Sequence, residues 1–323
     1  MADATREREL VVVDGASGYV GSHLTSRLLA DGHRVRCLVR PGADQADIAF
    51  LRSLGADVAS ADLGASDGDA GKAFAGARAA VHLIGSIAPR KGESLDFLHE
   101  SLTGKLVENC QRHGVERIVM VTALGTGPGA ASRYHQTKWK AEELVRASGL
   151  EYVILRPSLI VGWQTGRRDS KLVRRYSEMI RTRGVVPLIN GGINRIQPVF
   201  VGDLVAALEA CLSSESALES TVEIGGADVV TMREFVEGLM TVLAVRKPII
   251  GLPGLLARAL AGVCESLQPV PILSSDQVTM AQEDNVCQEN ALVSVFGITP
   301  TPLSEALATY GKSRSTAVPE AVG

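Results

Sequence analysis

The sequence predicts a doubly wound α/β fold, a parallel sheet covered by helices on both faces and followed by a smaller C-terminal α/β lobe. Two observations carry this expectation. Strand-like and helix-like segments alternate up to about residue 160, and a turn bearing three glycines joins the first strand to the first helix.

The first strand is the apolar run Leu10-Val11-Val12-Val13, which suits a strand buried on both faces. The turn Asp14-Gly-Ala-Ser-Gly-Tyr-Val-Gly21 follows, then a helix whose apolar residues Val20, Leu24 and Leu28 recur every four positions until Gly32 stops it. A second strand over 35–39 ends at Arg40. Residues 48–54 read as helix, and 57–61 as a third strand ending at Asp62-Leu63. Residues 73–77 fit a short helix and 80–84 a fourth strand ending at Gly85. A helix over 95–113 is closed by Gly114, and a fifth strand over 118–121 runs into Thr122. Residues 132–148 form a helix stopped by Gly149, and 152–155 a sixth strand ending at Arg156-Pro157.

Beyond Gly162 the pattern loosens. Helices are expected over 170–182, 202–212 and 232–245, a turn at Gly191-Gly192, and extended segments at 199–201 and 222–224. This divides the chain into a nucleotide-binding domain over 1–162, completed by segments near 195–226, and a smaller substrate or partner lobe over 163–323. The last nine or so residues lack periodicity and read as a mobile tail.

The chain has 323 residues, 46% hydrophobic and 21% charged, with net charge −3. That is a globular composition with no electrostatic reason to bind nucleic acid. Five scattered cysteines without Cys-x-x-Cys spacing argue for reduced thiols in the cytoplasm, not a zinc site or disulfide frame. No secretory leader is expected before the first strand, and the richest apolar stretch, 248–267, is broken by Pro253, Arg258 and Glu265, so no transmembrane segment is expected. His82, His99, His113 and His135 lack metal-ligand spacing and read as surface or strand residues; no metal is expected.

The glycine turn carries the first chemistry. Gly15 permits the tight bend, Gly18 lets backbone approach a pyrophosphate, and Gly21 lets the helix pack close to the sheet; Ser17, Tyr19 and Val20 complete the cradle. At the end of the second strand, Val39 stands where an NAD site places a carboxylate, and Arg40 can take a 2′-phosphate, so NADP is favoured over NAD. Asp62 is a candidate adenine contact with Leu63 beside it, and Ile84 and Gly85 end the next strand along the same cofactor path. Ser86 follows on the substrate side. Tyr134 and Lys138, four apart on a helix, share a face. An ammonium there favours phenolate and would bring the tyrosine from about 10 towards about 7, fitting it for proton exchange with a carbonyl or alcohol. Thr122 is a candidate to orient the substrate oxygen.

These residues resemble the short-chain dehydrogenase/reductase superfamily in its extended and atypical branches. The resemblance rests on the glycine turn, Leu38-Val-Arg-Pro41, Tyr134-x-x-x-Lys138, Leu155-Arg-Pro-Ser-Leu-Ile-Val-Gly162, Arg195-Ile-Gln-Pro-Val-Phe-Val-x-Asp203, Ser275-Asp-Gln277 and Asp284-Asn-Val286, and so covers nearly the whole chain. It is strongest towards bacterial proteins similar to the nucleotide-binding accessory subunit of respiratory complex I. It implies a Rossmann domain with a small C-terminal lobe, NADP(H), Pro157, Ser158 and Leu159 beside the nicotinamide, and Gln197 lining the cleft. It also implies a serine at the end of the fifth strand, where this chain has Thr122-Ala123.

The expected activity is hydride transfer to or from a carbonyl or alcohol of a small or lipophilic substrate. The alternatives are a nucleotide-binding assembly or sensor protein without turnover and, less well matched to Arg40, a sugar-nucleotide epimerase or dehydratase. The apolar stripe Leu256, Leu260, Val263 and Leu267 offers a protein or membrane-surface contact through the 254–267 helix; packing of that stripe on its own lobe is the favoured expectation.

Overall fold

The computed structural model describes residues 9–65, 70–87, 93–267 and 273–312. The expected C-terminal tail lies outside these residues. Strands β1 (Leu10–Asp14), β2 (Arg34–Val39), β3 (Asp57–Ser60), β4 (Ala77–His82), β5 (Arg117–Val121) and β6 (Glu151–Pro157) alternate with helices α1 (Tyr19–Ala30), α2 (Gln45–Ser53), α3 (Gly71–Phe74), α4 (Leu102–His113) and α5 (Arg133–Arg146). The chain continues through β7 (Ile160–Val161), α6 (Lys171–Thr182), β8 (Val186–Ile189), β9 (Arg195–Ile196), β10 (Val199–Phe200), α7 (Val201–Ala210) and β11 (Ser220–Ile224). It then forms β12 (Val230–Thr231), α8 (Met232–Val242), β13 (Ile249–Leu252), α9 (Gly254–Leu267), α10 (Ser275–Met280), α11 (Ala291–Ser294) and α12 (Leu303–Lys312).

Seven strands form one parallel sheet in the order β11-β6-β5-β4-β1-β2-β3. Its centre is buried on both faces. Val11 and Val13 pack with Leu24 and Leu28 of α1, Leu51 of α2 and Leu204 and Leu208 of α7; Leu10 and Val12 pack with Phe74 of α3, Leu106 and Cys110 of α4 and Val145 of α5. A doubly wound Rossmann-type sheet suits central strands whose middle residues are apolar and buried, as in β1, β4, β5 and β6.

The smaller lobe uses short pairings, β8 with β13, β9 with β12 and β7 with β10. Its core joins Val173 and Ile180 of α6 to Phe235, Val236 and Leu239 of α8 and Leu307 of α12.

Several boundaries differ from the sequence reading for local reasons. The short helix ends at Phe74, and Ala77 already belongs to β4, because Ala77, Ala79, Ala80 and Val81 are all buried in the sheet. That strand stops at His82, two residues early, since the N–H groups of Leu83 and Ile84 donate to the Asp14 side chain instead. The helix expected over 95–113 opens with a π-helical turn, Phe97–Ser101, before α4. Val201 begins α7.

Helix α9 packs on its own lobe as expected, but the leucine stripe is not the face it uses. Ala257 and Ala261 face inward against Val278 of α10, and Leu256, Leu260, Val263 and Leu267 remain 51, 44, 54 and 76% exposed. The two small residues give the closer helix contact, so the wider leucine stripe turns outward.

Candidate nucleotide and carbonyl site

β1 lies between β2 and β4, so the chain leaves the sheet in opposite directions on either side of it, and a crevice opens at the carboxyl ends of these strands. The glycine turn occupies that point. Gly15 has φ +62°, and a Cβ there would lie 3.1 Å from the Leu83 carbonyl carbon. A Cβ on Gly18 would stand 2.9 Å from Gly15 O, and one on Gly21 only 2.3 Å from the same oxygen. Each glycine is therefore demanded by backbone. Gly18 caps α1 in an extended conformation without a side-chain hydrogen bond, so the first-turn N–H groups of Tyr19, Val20 and Gly21 lie at the open N-terminus of the helix beside Ser17. A turn pared to backbone and a helix end rich in donors fit a dinucleotide diphosphate.

Around this cradle stand the other expected cofactor contacts. Arg40 follows β2 at the surface, its Nη1 donating to Glu93 Oε1 at 2.9 Å. Asp62 follows β3, exposed, with Oδ1 accepting from Gly64 N at 2.9 Å. Leu63 is a correction: its side chain is buried in the core with Phe74, as an apolar residue at a strand end should be.

Helix α5 carries Tyr134 and Lys138. Its first turn is held twice, by Ser132, whose side chain accepts from His135 N at 3.2 Å, and by Asp276 of α10, whose carboxylate accepts from Arg133 N at 2.8 Å and Tyr134 N at 3.0 Å. A carboxylate at a helix N-terminus is stabilised by the helix dipole. Replacing Asp276 with alanine is expected to cost about 1 kcal/mol, with hydrogen exchange accelerating at the Arg133 and Tyr134 amides before it does in the rest of α5; uniform protection would contradict this role.

Tyr134 is 9% exposed and meets His99 edge-on at 5.3 Å between ring centroids. Lys138 is 3% exposed, its Nζ donating to Ile84 O at 3.2 Å and Val121 O at 3.4 Å. A Cβ on Gly85 would lie 2.6 Å from that nitrogen, so Gly85 makes room for the ammonium. Burial lowers Lys138 to about 8, with Asp14 and Glu142 opposing the shift. Burial also pushes the Tyr134 phenol up to about 12. This corrects the expectation of a phenol drawn towards neutrality by Lys138: removal of water outweighs the cation.

Three histidines are buried: His82 is a strand residue as expected, whereas His99 and His135 lie in helical segments, against the surface or strand reading. His82 lies against Asp14 and, at 2.9 Å, Thr103 of α4. His99 sits in the π-helical turn, Nδ1 2.8 Å from Thr137 Oγ1, and Ser86 N donates to Nε2 at 3.4 Å; burial drives it down to about 2, so it is neutral. His135 is drawn down to about 4 by burial. Among the described residues no cluster of metal-ligating side chains is present.

Thr122 is the principal correction. Its hydroxyl donates to Glu142 Oε1 at 2.7 Å, and Glu142 also receives Arg146 at 2.6 Å and Arg156 at 2.5 Å. A buried carboxylate held by two guanidiniums claims the proton that would have oriented a substrate. Gln197 is a second: its Nε2 donates to Gly226 O at 2.9 Å and its Oε1 accepts from Cys287 N at 3.0 Å, so it ties backbone together and does not face the cleft as a free amide. Ser158 donates to Asn285 Oδ1 at 2.6 Å, between Pro157 and Leu159, and Asn285 Nδ2 donates to Leu124 O at 3.2 Å. The Tyr19 hydroxyl donates to Gly162 O at 2.6 Å, leaving its backbone to the cradle. Lys171 Nζ donates to Ser86 Oγ at 2.9 Å, joining α6 to the loop after β4. Asp14, His99, Asp276 and Asn285, given no role at the site from sequence, thus hold it together.

A model of the NAD(P)H-binding family matches residues 15–181, just over half of the chain. The mitochondrial NADH dehydrogenase (ubiquinone) 1 alpha subcomplex subunit 9 of Arabidopsis thaliana is 28% identical over 295 residues, 88% of this chain and 72% of that protein. The ceramide reductase of Caulobacter vibrioides is 28% identical over 272 residues, 83% of this chain and 82% of that one. The solved structure of a UDP-glucose 4-epimerase from Thermotoga maritima superposes with a TM-score of 0.74 at 17% identity, over 96% of this chain and 100% of that chain, a likeness of fold.

Proposed function

Because this chain belongs to the NAD(P)H-binding family, within the extended short-chain dehydrogenase/reductase type of Rossmann protein, we propose that it is an NADP(H)-dependent oxidoreductase acting on a carbonyl or alcohol of a small or lipophilic substrate. One observation carries the reading: Lys138, on the helix that bears Tyr134, bonds to Ile84 at the end of β4, the segment against which the glycine turn packs. When bound, a nicotinamide supplies or accepts hydride at the substrate carbon. Tyr134 then gives its proton to the carbonyl oxygen, or takes it from the alcohol. With the phenol up at about 12, the group is protonated through neutral pH, which suits it to the reductive direction. Lys138 is the ribose anchor. Two of its three donors are taken by Ile84 and Val121, and the third is left for a hydroxyl. His99, held neutral, adds no charge beside Tyr134. Mass spectrometry of the nucleotide that copurifies, followed by NADPH consumption with a panel of carbonyls and quinones, tests the assignment.

The preference for NADP rests on Arg40. Its guanidinium already faces Glu93, so a 2′-phosphate would have to displace one carboxylate. Arg40→Ala is expected to weaken NADPH by roughly tenfold or more, the worth of a charge-assisted hydrogen bond, and to leave NADH nearly unchanged. Glu93→Gln should do the reverse and tighten NADPH alone. Equal changes for both nucleotides in isothermal titration would overturn the preference.

A second reading, a nucleotide-binding assembly or sensor protein without turnover, is favoured by the commitment of the Thr122 hydroxyl to Glu142. Stabilisation by NADPH with no turnover across the panel would support it. Helix α9 packs through its alanines on α10, which also carries Asp276, and turns its leucine stripe outward; this exposed apolar face supports a lipophilic substrate or a protein or membrane contact there. Among the described residues no helix is long and apolar enough to cross a membrane.

A further inference from the structure

We infer that Asp14 is a positioning residue for the nucleotide site: its carboxylate and the Lys138 ammonium grip Ile84 from opposite ends, so one buried ion couple sets both the segment after β4 and the cation beside it. The inference rests on the reading of Lys138 as the ribose anchor.

Asp14 closes a strand whose preceding four residues are all apolar and buried, and it is itself wholly buried. A carboxylate at that depth is strongly destabilising unless its oxygens are satisfied. Here they are. Oδ1 accepts from Leu83 N at 2.7 Å and Ile84 N at 3.1 Å, and Oδ2 faces His82 Nδ1. The side chain thereby replaces the strand ladder for two residues and sets where β4 ends.

The same Ile84 offers its carbonyl to Lys138 Nζ at 3.2 Å, and the glycine that follows leaves the space the ammonium occupies. Behind the pair, His82 reaches Thr103 at 2.9 Å, and Thr103 donates to the carbonyl of His99, the ring that stands edge-on to Tyr134. The arrangement runs from the first strand to the neighbour of the phenol.

The groups that act on Lys138 are Asp14 from β1, neutral His99 from the π-helical turn and Glu142 from its own helix. Only the two carboxylates favour the ammonium, and Glu142 is shared between Arg146 and Arg156. Asp14 carries the larger share, although its nearest partner is His82.

The test is a titration of the lysine side chains by NMR, with 13C at Cε and the Lys138 signal identified by its loss in Lys138→Met. In the wild type the inflection is expected near 8. Asp14→Asn keeps an oxygen for Leu83 and Ile84 and removes the charge; the inflection should move at least about one pH unit lower, with a smaller shift in Glu142→Gln. An unchanged inflection in folded Asp14→Asn would make Asp14 a purely structural acceptor and overturn the inference.

Should Asp14→Asn not fold, Asp14→Glu supplies the second arm: it keeps the charge and moves the carboxylate by one methylene, so the Lys138 inflection must differ from that of the wild type. No movement there also overturns the inference. Both arms are read without nucleotide. NADPH affinity unchanged in Lys138→Met would instead remove the ribose-anchor reading and leave the ion couple standing.

Discussion

Adding a single methyl group at position 21 is expected to weaken nucleotide binding at least about tenfold. In Gly21→Ala the new Cβ would lie 2.3 Å from Gly15 O and 2.7 Å from Ala16 Cα. Both are backbone atoms, and they belong to the turn itself. Relief requires α1 to move away from the turn, which displaces the first-turn N–H groups from the positions that fit a diphosphate. Overpacking of this kind costs about 1–3 kcal/mol in stability, and loss of the aligned donors should weaken NADPH by at least about tenfold, or 1.4 kcal/mol. The same exchange at Gly262, on the outward part of α9, meets nothing within 4 Å. There alanine should stabilise the helix by roughly 0.5–1 kcal/mol. Thermal unfolding with and without NADPH reads both effects. If Gly21→Ala binds NADPH as well as Gly262→Ala does, the turn is not a cradle.

That contrast also marks what could be read from the chain alone. The glycine turn was legible because its reasons are largely local: strand, bend and helix follow within a dozen residues, and Gly18 and Gly21 answer to backbone a few positions away. Thr122 was misread because the group that decides its orientation, Glu142, lies on the next helix and is itself set by Arg146 and Arg156. Gln197 failed in the same way, its amide divided between Gly226 and Cys287. Asp276 could not be connected to Tyr134 from sequence, since 142 residues separate a cap from the amide it holds. Asp14 did leave a signal, a carboxylate ending a run of buried apolar residues. For α9 the period of the leucines was plain, but periodicity defines a stripe without saying which stripe faces in, and the alanines took the interior.

Tyr134→Phe is the prediction on which the enzymatic reading turns. Phenylalanine keeps the ring that meets His99 edge-on and removes only the hydroxyl, so packing of α5 and nucleotide affinity should be nearly unchanged. Loss of a positioned acid is expected to lower kcat by roughly 10²–10⁴-fold. The pH profile distinguishes this role from a steric one. With Tyr134 up at about 12 and Lys138 down at about 8, the phenol holds its proton across the neutral range while the lysine charge is lost as pH rises through about 8. Carbonyl reduction by the wild type should therefore be level on the acid side of neutrality and fall above about 8, with no fall near 7 of the kind a phenol lowered to about 7 would give. Residual activity in Tyr134→Phe should be low at every pH, since the missing proton cannot be restored by acidifying the medium over this range. If Tyr134→Phe turns over as fast as the wild type, the phenol is not the acid. If the wild type itself consumes no NADPH with any carbonyl while binding it tightly, the same buried residues serve to hold the nucleotide, and the couple at Ile84 is a clamp and not a catalytic device.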